Sequence, residues 1–317
     1  MNTPLLPIAC FAPSGKAIDL DAVNRGYKYL LEQGFKLHNT ECTQRGFQRF
    51  AGTDTERLNE INHLPELIAT IGPCIALAIR GGYGISRLLP GIDWDSLAVA
   101  VDKGLMIIGH SDLTALQIGL LAKKGRKSYS GPMLSYDFGC ERDEISSFTM
   151  QSFQQVVQNQ PLNTAVDAKQ VYLDNQHFEC EGLLWGGNLS IIASLLGTAF
   201  FPDKSIIKNG ILVIEDVNEH PYRIERMLLQ LLQAGILETQ QAIIFGDFSS
   251  YQLSTHDAGY DLHSCIELLK SELLRIGAKT QILNQLPFGH CRNKITLPIG
   301  VTGQISANQN GFILTSI

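Results

Sequence analysis

The feature that most constrains this chain is a repeated alternation in its first half. Short, almost uninterrupted apolar runs each end on a turn of small residues, and an amphipathic helical pattern usually follows. Leu6 to Phe11 is the first such run and stops at Ala12-Pro13-Ser14-Gly15; Leu20 to Gln33 then carries Leu20, Val23, Tyr27, Leu30 and Leu31 on one helical face. Lys36 to Thr40 reads as a second strand. Thr53 with Glu56 three residues on fits a capping box, and Leu58, Ile61, Leu64 and Leu67 follow at helical intervals. Ile75 to Ile79 runs into Arg80-Gly81-Gly82-Tyr83-Gly84. Leu105 to Ile108 runs into Gly109-His110-Ser111-Asp112 and then a helix bearing Leu113, Leu116, Leu120 and Leu121. Continuous apolar strands separated by amphipathic helices predict an α/β domain with a parallel sheet covered on both faces. Sites in such sheets form at the carboxyl ends of the strands.

The second half reads differently. From about Gly139 to Val171 the chain turns polar and Gln-rich, with a helix-like piece near Ser147 to Val157. That shift predicts one domain over residues 1–150, a linker over 151–170 and a second domain over 171–317. In the latter a hairpin is expected from Val171 to Gly182, turning at Asp174-Asn175. Further short strands are expected at Ile211 to Ile214, Ala242 to Phe245, Thr280 to Leu283, Ile295 to Ile299 and Gly311 to Ser316. Helices are expected at Pro221 to Ala234, with Pro in the first turn, and at Leu262 to Arg275. The mixture predicts a β-rich α+β domain with an antiparallel or barrel-like component.

Composition narrows the function classes. With 317 residues, 44% hydrophobic and 18% charged, the chain can bury a core and is not a disordered tail. Lys plus Arg total 25 against 31 Asp plus Glu, and no basic block occurs, so binding nucleic acid by phosphate neutralisation is not expected. No apolar run approaches a membrane span. The N-terminus lacks the basic region and cleavage site of a signal peptide. Seven widely spaced cysteines with no C-x-x-C read as free thiols in a reducing compartment, which points to the cytoplasm.

Four segments bear chemistry. Ser111 stands at a strand-to-helix turn, the mechanical setting of a nucleophile elbow, although the second Gly of G-x-S-x-G is replaced by Leu113; the plainer reading is an N-cap. Arg80 to Gly84 offers backbone N–H groups to an anion, as an oxyanion hole or simply a tight turn. Arg87 stands where the third Gly of G-x-G-x-x-G belongs, which disfavours a nucleotide-dependent oxidoreductase. A buried strand ends on Glu215 and Asp216, with Glu219 and His220 behind; spacing does not say which acid, if any, orients an imidazole. His290, on a Gly-preceded loop, is a general-base candidate because imidazole as a chemical group ordinarily titrates near neutral pH. Its neighbour Cys291 is a lesser nucleophile candidate than Ser111. No His/Cys pattern for a metal is present, and no cofactor is expected.

Taken together, Arg80-Gly-Gly-Tyr-Gly-Ile-Ser-Arg-Leu-Leu, Ile108-Gly-His-Ser-Asp-Leu-Thr-Ala-Leu, Ser130-Gly-Pro-Met, Glu181-Gly-Leu-Leu-Trp-Gly-Gly-Asn-Leu and Ile214-Glu-Asp-Val-Asn-Glu-His-Pro-Tyr-Arg resemble the LD-carboxypeptidase family of serine peptidases. The match, nearest its muropeptide-cleaving branch, runs in order from Ala12-Pro13-Ser14-Gly15 to Phe288-Gly289-His290. The resemblance implies a flavodoxin-like N-terminal domain, a β-rich C-terminal domain, a cytoplasmic homodimer and a Ser–Glu–His triad. The triad's positions fall on Ser111, Glu215 and His290, so the cleft between domains is the expected active site. Backbone N–H groups of Gly82 and Asp112 are the expected oxyanion donors, and Arg80, Tyr83, Trp185 and Asn188 the expected substrate contacts. The implied substrate is a small peptide, L-Ala-γ-D-Glu-meso-diaminopimelate-D-Ala, cleaved before the terminal D-Ala. Rival expectations are a same-fold peptidase acting on a peptidyl-adenylate antibiotic in self-immunity, and a non-catalytic muropeptide-binding module, which a missing triad member would betray.

Overall fold

The structure is a computed structural model and describes residues 5–167 and 177–317. Five strands of the first half, β1 (Ile8–Phe11), β2 (Leu37–His38), β3 (Cys74–Ala78), β4 (Leu105–Gly109) and β5 (Ser128–Ser130), form a parallel sheet in the order β5-β4-β3-β1-β2. That is flavodoxin-like order, with the topological switch between β1 and β3, and the loops after those strands therefore open the crevice where ligands bind. Helices α1 (Leu20–Glu32), α2 (Asp54–Ile71), α3 (Trp94–Asp102), α4 (Thr114–Lys124) and α5 (Ser147–Val157) belong to this half. Both faces of its sheet are buried, one with α1 and α5 through Val23, Leu30, Met150 and Phe153, the other with α2, α3 and α4. The Thr53–Glu56 capping box forms as the spacing requires.

Among the described residues the second sheet has seven strands: β6 (Asn163–Asp167), β7 (His177–Asn188), β8 (Ile211–Glu215), β9 (Ala242–Phe245), β10 (Gln281–Leu283), β12 (Val301–Asn308) and β13 (Gly311–Ser316). The remaining strand, β11 (Leu297–Ile299), lies elsewhere. Helices α6 (Leu189–Leu195), α7 (Lys204–Ile207), α8 (Pro221–Gln233) and α9 (Leu262–Arg275) complete this half. From β7 through β10 the pairings are parallel; β7, β12, β13 and β6 pair antiparallel, and among the described residues the order β10-β9-β8-β7-β12-β13-β6 does not close into a barrel. Of the expected hairpin, the part over 171–176, with its turn, lies outside the described residues; His177 onward is β7.

Two expectations about domain organisation need correction. The span 151–170 is not a linker in its described part, because α5 runs to Val157, its apolar face sunk in the first core, and β6 begins at Asn163. Nor does everything after residue 171 belong with the second sheet. β11 crosses back and pairs antiparallel with β5, Leu297 opposite Ser130, because its residues are fully buried and complete the otherwise open edge of the first sheet.

Candidate active site

Three strand ends converge on one place. Leaving β4, the chain turns so sharply that Ser111 adopts φ +64°, a left-handed conformation that a non-glycine residue holds only under constraint. Three constraints are visible. Gly81 stands against Ser111, close enough that a Cβ there would lie 2.7 Å from its Oγ. Asp112, fully buried, accepts from Ser14 Oγ at 2.6 Å and from the Ile85 N–H at 3.1 Å, which ties the loops after β1 and β3 beneath the turn. Burial pushes the Asp112 carboxyl up, while the hydrogen bonds from Ser14 and the loop N–H groups oppose the shift. Arg57, buried inside α2, donates to the Pro13 carbonyl at 2.8 Å and supports the same loops from below.

Glu215 ends β8 and is buried. Its Oε2 receives His290 Nδ1 at 2.6 Å. An imidazole that gives its Nδ1 hydrogen to a carboxylate keeps Nε2 free as a base. The approach requires Gly289, whose φ is +103° and where a Cβ would lie 2.5 Å from Glu215 Oε2. Asp216 points elsewhere: it accepts from Asn188 Nδ2 at 3.0 Å, Ser190 N–H at 2.8 Å and Val217 N–H at 2.9 Å. Burial, with the adjacent Glu215 charge, raises the Asp216 carboxyl to about 6.

Ser111 and His290 line one cleft with Arg80, Gly81, Gly82, Tyr136 and Asn218. Two guanidinium groups face it. Arg25 is compensated by Asp19 at 3.6 Å and Glu141 at 3.5 Å. Arg80 has no carboxylate partner among the described residues; its Nη1 donates to the Lys16 carbonyl at 3.1 Å, and burial together with Arg49 lowers its pKa. Nothing among the described residues gathers three or more His, Cys, Asp or Glu side chains as a metal would need. No described helix is long and apolar enough to cross a membrane.

Two expected substrate contacts are corrected. Trp185 is fully buried, with Nε1 donating to Gln240 Oε1 at 2.9 Å, so it belongs to the core and cannot wall a cleft. Asn188 is buried with its amide on the two acids, 3.3 Å from Glu215 Oε1, while its Oδ1 caps α6 at Ile191. The glycines between them are a strand pressed against neighbours rather than a turn: a Cβ on Gly187 would lie 2.6 Å from Thr114 Oγ1. Tyr83 is exposed and packs against Phe50, outside the residues lining the cleft. Sequence reasoning missed Tyr136, Asp137 and Lys294, which cluster behind His290. Residue spacing carries no signal for them, because their partners lie far along the chain.

The loop bearing His290, which lies in the second half of the chain, also makes contacts across to the first. It is fastened to the first half: Tyr136 hydroxyl to the His290 carbonyl (3.0 Å), Thr149 Oγ1 to the Arg292 carbonyl (2.9 Å), Ser146 Oγ to Asn293 Oδ1 (2.7 Å) and Thr296 N–H to Ser152 Oγ (2.8 Å). Nucleophile candidate and base candidate thus ride on the same framework, and Glu215 reaches them from the second sheet.

Comparison with known proteins identifies the family. A model of the LD-carboxypeptidase N-terminal domain matches residues 8–131, and one of the C-terminal domain matches residues 181–305. The crystal structure of muramoyltetrapeptide carboxypeptidase from Oxalobacter formigenes superposes with a TM-score of 0.83 at 35% identity, covering 98% of each chain. The probable murein peptide carboxypeptidase of Bacillus subtilis is 29% identical over 90% of this chain and 84% of its own length. The microcin C7 self-immunity protein MccF of Escherichia coli is 29% identical over 92% of this chain and 87% of its own.

Proposed function

The chain belongs to the LD-carboxypeptidase family of peptidases, and from that premise we propose that it removes the terminal D-Ala from the murein tetrapeptide L-Ala-γ-D-Glu-meso-diaminopimelate-D-Ala through a Ser111–Glu215–His290 triad. The observation that carries this reading is the 2.6 Å bond from His290 Nδ1 to buried Glu215 in the cleft that also holds strained Ser111. His290 Nε2 takes the Ser111 proton as Oγ attacks the scissile carbonyl, then returns it to the leaving amine of D-Ala. Water repeats the cycle on the acyl-enzyme. Glu215 fixes the tautomer and stabilises the imidazolium. The Gly82 and Asp112 N–H groups receive the oxyanion. For Gly82 the support is peptide planarity: the Gly81 carbonyl accepts from Gly15 at 3.2 Å, on the β1 side, so the Gly82 N–H of the same peptide is turned toward the β4 side, where Ser111 stands.

Arg80 is the anchor for the substrate's terminal carboxylate, since it is the cation in the cleft that no described acid already satisfies. The reading places the protein in the cytoplasm as a homodimer in peptidoglycan recycling; all seven cysteines being free suits a reducing compartment. The test is hydrolysis of the free tetrapeptide, of its L-Ala-ended analogue and of a peptidyl-adenylate, each followed by mass spectrometry of its own products (D-Ala, L-Ala and the nucleotide fragment). Release from the D-Ala peptide alone, lost by roughly 10⁴-fold or more in Ser111→Ala, is expected. Equal release by Ser111→Ala, or preference for the adenylate, would overturn it.

A further inference from the structure

Behind His290 lies an ion pair that the proposed chemistry does not use. Lys294 Nζ stands 2.7 Å from Asp137 Oδ1, with the two side chains only 1% and 4% exposed. Burying such a pair is costly, and an apolar pair of similar volume generally stabilises a fold as well or better. Its location supplies a reason for it. Asp137 lies in a single π-helical turn, Leu134–Phe138, and its Oδ2 accepts from the Met133 N–H at 2.7 Å. Such turns recur at functional sites. Lys294 ends the four-residue stretch that follows His290, and its Nζ sits 4.9 Å from the centre of the Tyr136 ring, whose hydroxyl holds the His290 carbonyl. The imidazole also meets His110 edge-on, ring centres 4.8 Å apart at 81°. His110 is itself fixed by Nδ1 on the Gly131 carbonyl at 2.8 Å. Burial and the Lys294 charge hold His110 neutral, so it packs against the base without adding charge.

We propose that the Lys294–Asp137 pair, with Tyr136, is a clamp that positions His290 by pinning its loop to the π-turn beside the Ser111 elbow. Lys294, Asp137 and Tyr136 are positioning residues: they act through the imidazole. The idea rests on His290 being the base of the proposed reaction.

The test compares wild type with Lys294→Met/Asp137→Leu, which removes both charges together and leaves no unpaired ion, and with Tyr136→Phe. D-Ala release is measured as kcat and KM per folded molecule, alongside the low-field proton resonance of His290 Nδ1. In the double variant kcat is expected to fall about 10- to 100-fold, as a displacement of order 1 Å in a base would cause. KM stays within about threefold, because ground-state binding is untouched. The Nδ1 resonance should broaden or move, and Tyr136→Phe should show a smaller fall in the same sense. Wild-type kcat in folded double variant, a rise in KM alone, or an unaltered Nδ1 resonance would overturn the clamp. If the double variant does not fold, wild-type kcat in Tyr136→Phe overturns it. If wild type releases no D-Ala, or does so without Ser111, the proposed function fails instead, and the Nδ1 resonance still decides whether the clamp orders His290.

Discussion

At the residue scale Asn188 separates two kinds of contribution to activity. One amide holds Glu215 and Asp216 by Nδ2 and caps α6 by Oδ1, with Ser190 Oγ also on that oxygen at 2.7 Å. Asn188→Ala therefore removes a helix cap, worth about 1 kcal/mol, and leaves two buried carboxylates short of a donor. A substrate contact would raise KM when lost. Here KM should hold while kcat falls, because the acid behind His290 loses its support; steady-state kinetics on the tetrapeptide with a thermal melt checks both. Legibility in the sequence follows the same line. Ser111 lies two residues past the end of β4, Glu215 is the last residue of β8 and His290 follows Gly289, so local sequence marks each as a candidate at a strand end or glycine turn. Trp185 and Asn188 read as substrate contacts because Gly186-Gly187 between them would let a peptide's backbone approach, whereas both glycines carry φ near +137° inside β7 and permit close packing there. Asp137 and Lys294 were invisible: a buried ion pair is a relation between distant positions, and neither member has a local signature.

At the element scale strands made of continuous apolar residues are legible, and β13, expected at its observed bounds, is legible without being buried throughout. β1, β3, β4, β8 and β9 are continuous apolar runs, and the expected bounds differ from the observed ones by two residues at most. β12 was missed because only alternate residues are buried and two of those three, Gly303 and Ala307, are small; β5, Ser128–Ser130, is polar and owes its place to neighbours on both sides. β7 is the element on which the site's assembly turns, since its last residues touch α4, β8 and α6 together. Thr114 Oγ1, at the start of α4, accepts the Asn188 N–H at 3.1 Å and lies where a Gly187 side chain would stand. Gly187→Ala should thus push α4, and Ser111 before it, away from Glu215. The expected cost is about 1–3 kcal/mol of stability from overpacking. An activity loss of about 10- to 100-fold should accompany it, beyond what the unfolded fraction accounts for. Urea denaturation run with D-Ala release on the same preparation measures the two; a variant that loses stability but keeps kcat per folded molecule would show that α4 does not transmit the shift.

At the scale of the whole molecule the chain's end stitches the two sheets together. β11 completes the first sheet, and one residue later β12 enters the second; Gly300 makes the crossing with φ +84° and its N–H on the Leu184 carbonyl at 2.8 Å. A single apolar cluster runs through both halves, joining Phe11, Ile107 and Leu116 to Trp185, Val213 and Phe245. Cutting the chain between α5 and β6 would strip β11 from β5 and expose that shared core, so neither half should fold by itself. The chain's two tryptophans allow the intact molecule to be tested, since Trp94 sits on α3 in the first half and Trp185 on β7 in the second. Trp94→Phe leaves a reporter in the second half, and Trp185→Phe leaves one in the first. Each variant's fluorescence transition in urea should coincide with its own circular dichroism transition, the mark of one cooperative unit. A fluorescence midpoint displaced from the circular dichroism midpoint of the same variant would mean that the halves unfold separately. The base-bearing loop would then be a docked connection, and the His290–Glu215 bond would become the contact that opens first.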